Sequence, residues 1–283
     1  MKGRMARDDA LQDFRAREIR IGDAAKTVYV AGDGPAVIVM PEMPGICPHV
    51  ARLARWIRDA GFSVYLPSLF GRDGAVPEAE EGAAIFRRAC VSAEFRALGG
   101  GGVSSPVTIW LMGLARVAHG ECGGAGVGAV GMCFTGNFAL TMMLEPCVRA
   151  PVLCQPALPL DNPAGLEIAP EELESVAARM KREGLTALAY RFAGDAFCRA
   201  ERFAAYRAAL GPSFEGRVLP DRSANAEVPP FFATHVPTPH SVVTVHLIDE
   251  EGQPTVEARD EILAFLGLRL GLGTAASASQ SGG

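Results

Sequence analysis

Strand-like apolar runs alternate with amphipathic stretches of helical length along most of this chain, and few folds accept that order. The runs are "AVIVMP" (36–41), "FSVYLP" (62–67), "GVGAVGM" (126–132), "APVLCQP" (150–156), "LTALAYRFA" (185–193) and "GRVLP" (216–220). Strands separated by helices predict an α/β protein with a mostly parallel, doubly wound sheet. With 283 residues and no internal repeat or dividing linker, the chain is expected to form a single domain, since such folds often run to about 250 residues as one unit. That domain is expected over 25–270. The polar, charged segment 1–24 is expected to be a short helix or an ordered arm. The tail 271–283, "GLGTAASASQSGG", has nothing to bury and is expected to be disordered.

Local signals refine the order. "KTVYVA" and "AVIVMP" flank the turn "GDGP", which suggests a hairpin. "PHVARLARWIRDAG" reads as a helix with Pro48 near its start and Gly61 just past its end. "EEGAAIFRRACVSAEFRAL" reads as another, broken by Gly99–Gly102. The next opens at "SSPVTIWLMGLARVAH", with Ser105 as N-cap and Pro106 at the first turn. Further helices are expected at "FTGNFALTMML", "PEELESVAARMKREG", "RAERFAAYRAALG" and "EARDEILAFLGL".

The formal net charge of −5 and pI near 5.6 argue against nucleic acid or an anionic membrane as partner. No apolar run approaches the roughly 20 residues needed to span a bilayer, and the N-terminus lacks the apolar core of a signal peptide. Seven cysteines, with no CxxC pair and no zinc-spaced cluster, fit reduced thiols in the cytoplasm. No metal or organic cofactor is implied.

One cysteine stands apart. "VGAVGMCFTGNFAL" (127–140) reads as a strand turning into a helix at Cys133, between Gly131 and Gly136. This is read as the cysteine form of the nucleophile elbow, G-x-C-x-G, in which a strained turn lifts the side chain above the sheet edge. A helix behind it would aim its positive end at the sulfur and favour a thiolate. The Phe134 N–H would face an oxyanion. The alternative is a cysteine packed between small residues. A dinucleotide fingerprint at Gly126, Gly128 and Gly131 fails on context, because those glycines fall at the edge of and inside the strand rather than at a strand-to-helix turn.

An elbow calls for an acid and then a histidine further along the chain. Asp195 closes the strand "LTALAYRFA" at a Gly-Asp corner, at the carboxyl end where ligands meet such sheets. Of five histidines, His49 and His119 precede the cysteine within helical patterns, and His246 lies in "VVTVHL", which alternates as a strand would. His240 and His235 lie in the loop "FFATHVPTPHSV"; His240 is the stronger candidate because it closes that loop. The segment "PEMPGICP" after the first central strand has an irregular backbone from which Met43 N–H would supply a second oxyanion donor, with Glu42 beside the thiol.

Taken together, "VIVMPEMPG", "GFSVYLPSLFGR", "VGAVGMCFTGNFAL", "YRFAGDAF" and "PHSV" resemble the dienelactone hydrolases in content and order, across most of residues 36–265. The resemblance implies an α/β-hydrolase fold and a cytoplasmic carboxylic ester hydrolase of carboxymethylenebutenolidase type acting on a small-molecule lactone or ester. It assigns Cys133 as nucleophile, His240 as base, Asp195 as its orienting acid, and Glu42 as the group that takes the thiol proton when substrate arrives. Two departures separate the chain from that pattern. No arginine follows His240, where the family grips a substrate carboxylate, and the family's "PDLY" reads "PSLF" here, with Ser68 replacing the acid. Arg72, Arg87 and Arg88 are the remaining candidates to meet an anion. Rival readings on the same fold are a thioesterase or acyl-transfer enzyme, and a ligand-binding relative without catalysis.

Overall fold

The computed structural model describes residues 7–96 and 102–272. Eight strands form one sheet: β1 (Arg15–Ile21), β2 (Ala24–Ala31), β3 (Ala36–Met40), β4 (Ser63–Pro67), β5 (Val127–Met132), β6 (Val148–Cys154), β7 (Ala187–Phe192) and β8 (Phe214–Leu219). Their spatial order is β1-β2-β4-β3-β5-β6-β7-β8. From β4 to β8 every pairing is parallel, while β1 and β2 join in antiparallel fashion at one side. The single α/β domain expected from the alternation is therefore present.

Helices cover both faces. On one, α1 (Pro48–Asp59) and α8 (Pro254–Leu270) pack onto Val37, Val39, Val130 and Val152. On the other lie α2 (Ala79–Val91), α3 (Val107–Cys122), α5 (Pro170–Glu183) and α6 (Ala200–Leu210), over Ile38, Met40, Ala129 and Leu153. The central strands β3 and β5 are buried along their whole length, as strands covered on both faces must be. Two short helices complete the set, α4 (Phe138–Thr141) and α7 (Pro230–His235).

Several local expectations are corrected. The segment read as a helix or arm contributes β1, from Arg15 onward. "KTVYVA" and "AVIVMP" do not form a hairpin: β4 lies between them, because the fully apolar β3 belongs in the parallel centre and the half-exposed β2 near the edge. The second helix ends at Val91, ahead of the glycine run, of which residues 99–101 lie outside the described residues. Residues 273–283 of the expected tail also lie outside them. Ser105 precedes α3 but its hydroxyl does not cap the helix; it lies within hydrogen-bond reach of the Phe95 carbonyl and of Glu167 Oε1, with one proton to give to either. Ser68 donates to Asp73 at 2.9 Å.

One buried cation organises the loop beneath the elbow. Arg202, only 1% exposed, sends its guanidinium N–H groups to the carbonyls of Ala157, Leu158, Pro159, Asn162 and Gly165. Nothing but a planar, multiply donating side chain serves that many acceptors at once. Arg202→Leu should cost at least about 3 kcal/mol, since each stranded buried acceptor carries a penalty of about 1–3 kcal/mol. Urea denaturation checks this, and a loss under about 1 kcal/mol would show that water replaces the guanidinium.

Candidate active site

Four loops leaving the carboxyl ends of β3, β5, β6 and β7 converge with the segment that follows α7. This is where an open parallel sheet offers its ligand crevice.

The elbow comes first. Cys133 follows β5 with φ of 54°, a left-handed conformation that a non-glycine residue adopts only when its surroundings impose it. The turn is tight. A side chain at Gly131 would come within 2.3 Å of the Thr135 carbonyl oxygen, and one at Gly136 within 2.6 Å of Pro156 Cα. The spacing, however, is G-x-C-x-x-G, so Thr135 takes the position of the elbow's second glycine. Its buried hydroxyl accepts the Met132 N–H at 2.9 Å and lies 3.2 and 3.3 Å from the carbonyls of Met40 and Pro41, to which it can donate. Thr135 thus ties the nucleophile strand to the strand that carries Glu42 and Met43.

The long helix expected behind Cys133 is not there. Residues 133–135 and 142–144 are 3-10 turns, separated by the four-residue α4. Asn137, sealed between Tyr206 and the Glu167 carbonyl, sits where the segment breaks.

The histidine and the acid meet as expected. His240 Nδ1 donates to Asp195 Oδ2 at 2.7 Å, while Asp195 Oδ1 accepts the amides of Phe197 at 2.9 Å and Cys198 at 3.0 Å. Asp195 and His240 are 3% and 1% exposed, so their bond is shielded from water. Burial opposes a charged imidazole, but the Asp195 carboxylate and the Cys133 sulfur outweigh it and hold the His240 pKa well above its ordinary value. The other ring atom, Nε2, is buried and unpartnered, and both His240 and Cys133 line one cavity of about 270 Å³. His235 also borders that cavity, yet its Nε2 is turned to the Ala79 carbonyl, 3.2 Å away. Phe134 and Met43, the candidate oxyanion donors, border it too. His49 and His119 lie on α1 and α3.

Glu42 is held by neutral side chains. It is 1% exposed, and its carboxylate accepts from Ser241 Oγ at 2.6 Å, from Thr244 Oγ1 and from Gln155 Nε2 at 3.3 Å. Cys133 is not among these partners. Burial pushes the Glu42 carboxyl up, against the pull of the two hydroxyls. Gln155, itself left-handed with φ of 35°, passes the support on by accepting the Val242 amide through Oε1 at 3.3 Å.

His246 is not in a strand: residues 242–246 form successive turns, with the Thr244 and His246 amides both donating to the Ser241 carbonyl. Its Nδ1 accepts the Ser241 amide at 3.1 Å and the His240 amide at 3.5 Å, which places the ring proton on Nε2. Burial, then the neighbouring His240, lowers its pKa to about 4. Of these supports, Ser241 and Thr244 stood in plain view in "PHSVVT", and Gln155 at the end of a central strand. They went unread because neutral side chains give no charge signal.

The model of the dienelactone hydrolase family matches residues 24–172, just over half of the chain. No curated protein matches the sequence. Among solved structures, the chain is similar to a dienelactone hydrolase-like promiscuous phosphotriesterase from metagenomic libraries, at 17% identity and a TM-score of 0.61, covering 90% of this chain and 98% of that one. It is also similar to a putative dienelactone hydrolase from Klebsiella pneumoniae, at 18% identity and 0.54, covering 89% and 98%. A cold-adapted esterase from an Arctic intertidal metagenomic library matches at 12% identity and 0.57, covering 93% and 97%. At these identities the likeness is one of fold.

The role of His246 is open to test. His246→Leu strands two buried amides and should cost about 1–3 kcal/mol while lowering kcat at little-changed KM. His246→Asn, which restores an acceptor near Nδ1, should recover most of both. The pH dependence has a definite sign. A histidine whose folded-state pKa is depressed from 6.5 to about 4 contributes stability that is present above 6.5 and is lost as pH falls towards 4. His246→Asn should therefore lose less stability than wild type across that window, as read by urea denaturation at several pH values.

Proposed function

The chain belongs to the dienelactone hydrolase family, of α/β-hydrolase type, and on that premise we propose that it hydrolyses the ester bond of a small ester or lactone through an acyl-thioester on Cys133. The observation that carries this reading is the state of His240: Nδ1 committed to Asp195, Nε2 buried, unpartnered and bordering the cavity that Cys133 shares.

The steps balance without another reactant. His240 Nε2 takes the thiol proton and the Cys133 thiolate attacks the ester carbonyl. The tetrahedral oxyanion accepts the amides of Phe134 and Met43. Collapse breaks the C–O bond, and the His240 imidazolium protonates the departing alkoxide. Water, deprotonated by the same nitrogen, then attacks the thioester, and Cys133 leaves as a thiolate that regains its proton. Asp195 keeps the ring oriented and stabilises its charge throughout.

Glu42 enters this scheme as a positioning residue. To collect the thiol proton it would abandon three hydrogen bonds, each worth about 1.5–3 kcal/mol to a charged group. His240 needs no such release. We therefore assign the proton to His240, and to Glu42 the support of the loop that carries it.

Rapid mixing with an activated ester and intact-mass analysis should trap one acyl group, on Cys133, absent in Cys133→Ala. His240→Ala should lower kcat/KM by about 10²–10⁴-fold, and His235→Ala only slightly. Glu42→Gln should still acylate. Loss of acylation in a folded Glu42→Gln protein would return the proton to Glu42, and an adduct on another cysteine would overturn the site.

A further inference from the structure

The cavity beside Cys133 has a floor and a roof of different origin. Its floor is the elbow and the loop after β6, through Phe134, Ala157 and Leu160. Its roof is α2, through Ala83, Phe86 and Arg87, and α7 with its exit, through Phe231, Phe232 and Val236. Phe197, whose ring meets His240 edge-on at 5.3 Å, adds a fifth phenylalanine. At about 270 Å³ the space exceeds the roughly 150 Å³ of a cavity that accepts benzene.

Only Arg87, among the lining residues, carries a permanent charge, and it is exposed to water at the rim. A carboxylate carried into the aromatic interior would lose its hydration, and the one buried lining group that gains a proton, His240, is already paired with Asp195 through Nδ1. The two roof helices are fitted closely. The Phe231 amide donates to the Pro77 carbonyl at 3.0 Å, and Gly82 faces the Phe231 ring so closely that a side chain there would meet Cδ2 at 2.4 Å.

We propose that the cavity selects neutral esters with a bulky apolar group, either an aryl group or a chain of about six carbons, and that the Gly82–Phe231 contact sets its size. The inference rests on the hydrolase reading for what happens to the bound ester, but the selectivity itself is a property of the cavity. Each methylene buried is worth about 0.8 kcal/mol, or about fourfold in kcat/KM, until the space is filled. Gly82→Ala forces the Phe231 ring towards the cavity or lifts α7, and either movement penalises long chains before short ones.

Two measurements separate this proposal from the hydrolase reading. In turnover, 4-nitrophenyl esters from acetate to heptanoate should climb in kcat/KM, and the heptanoate should exceed the equally long 4-nitrophenyl monoester of adipic acid by at least about tenfold. Gly82→Ala should lower the heptanoate-to-acetate ratio by about tenfold with acetate nearly unchanged, and Phe231→Ala should move the optimum to longer chains. In binding, Cys133→Ala should take up methyl heptanoate more tightly than monomethyl adipate by calorimetry. A flat series, or a preference for the adipate ester that Arg87→Met abolishes, overturns the proposal. If binding follows the proposal while no ester acylates Cys133, the selectivity stands and the hydrolase reading fails.

Discussion

Three neutral donors around one buried carboxylate determine where His240 can stand. Glu42 leaves the end of β3, Gln155 the end of β6, and Ser241 and Thr244 come from a loop with no regular hydrogen-bonding ladder of its own. Buried backbone groups in such a loop need partners, and these are found in the Gln155 side chain, the His246 ring and Arg52, which donates to the Thr244 carbonyl at 3.1 Å. A cation beside Glu42 would pair with it and free the loop. Hydroxyls bind both at once, because each is anchored in the loop it holds.

The elbow shows a comparable substitution of one device for another. A long helix behind Cys133 would favour the thiolate through its dipole, but the chain breaks into short turns at Asn137. Bordering the same cavity as the sulfur is His240, paired with Asp195, whose buried carboxylate raises the basicity of the ring. Thr135 completes the change. A glycine in its place would leave the Met132 amide without its 2.9 Å partner and would cut the tie to the β3 end.

The sequence was most legible where periodicity and chain order carry the signal. The alternation of apolar runs with amphipathic stretches predicted a parallel sheet, because only helical crossovers join parallel neighbours. Cys133, Asp195 and His240 were legible as strand-end and loop residues, and the structure joins the last two by a hydrogen bond at the cavity that Cys133 lines. Less legible was anything set by lateral placement. β4 slips between β2 and β3 without leaving a mark on either strand's residues, so the apparent hairpin was false. His246 appeared strand-like because alternating valines imitate a pleat even when every position is buried. The position of Glu42 depended on which way a carboxylate turns among polar neighbours, something that spacing along a chain does not encode.

Residues 236–239 are all that separate α7 from His240, and the Phe232 ring touches His246 from the roof side at a centroid distance of 6.2 Å. Half of the cavity's ceiling is therefore the same piece of backbone as His240. A ligand that fills the space badly would displace His240 as well as weaken its own retention. The other half of the ceiling, α2, has no covalent path of that kind to His240. A change of side chain on α2 can reshape the chamber while the histidine keeps its station.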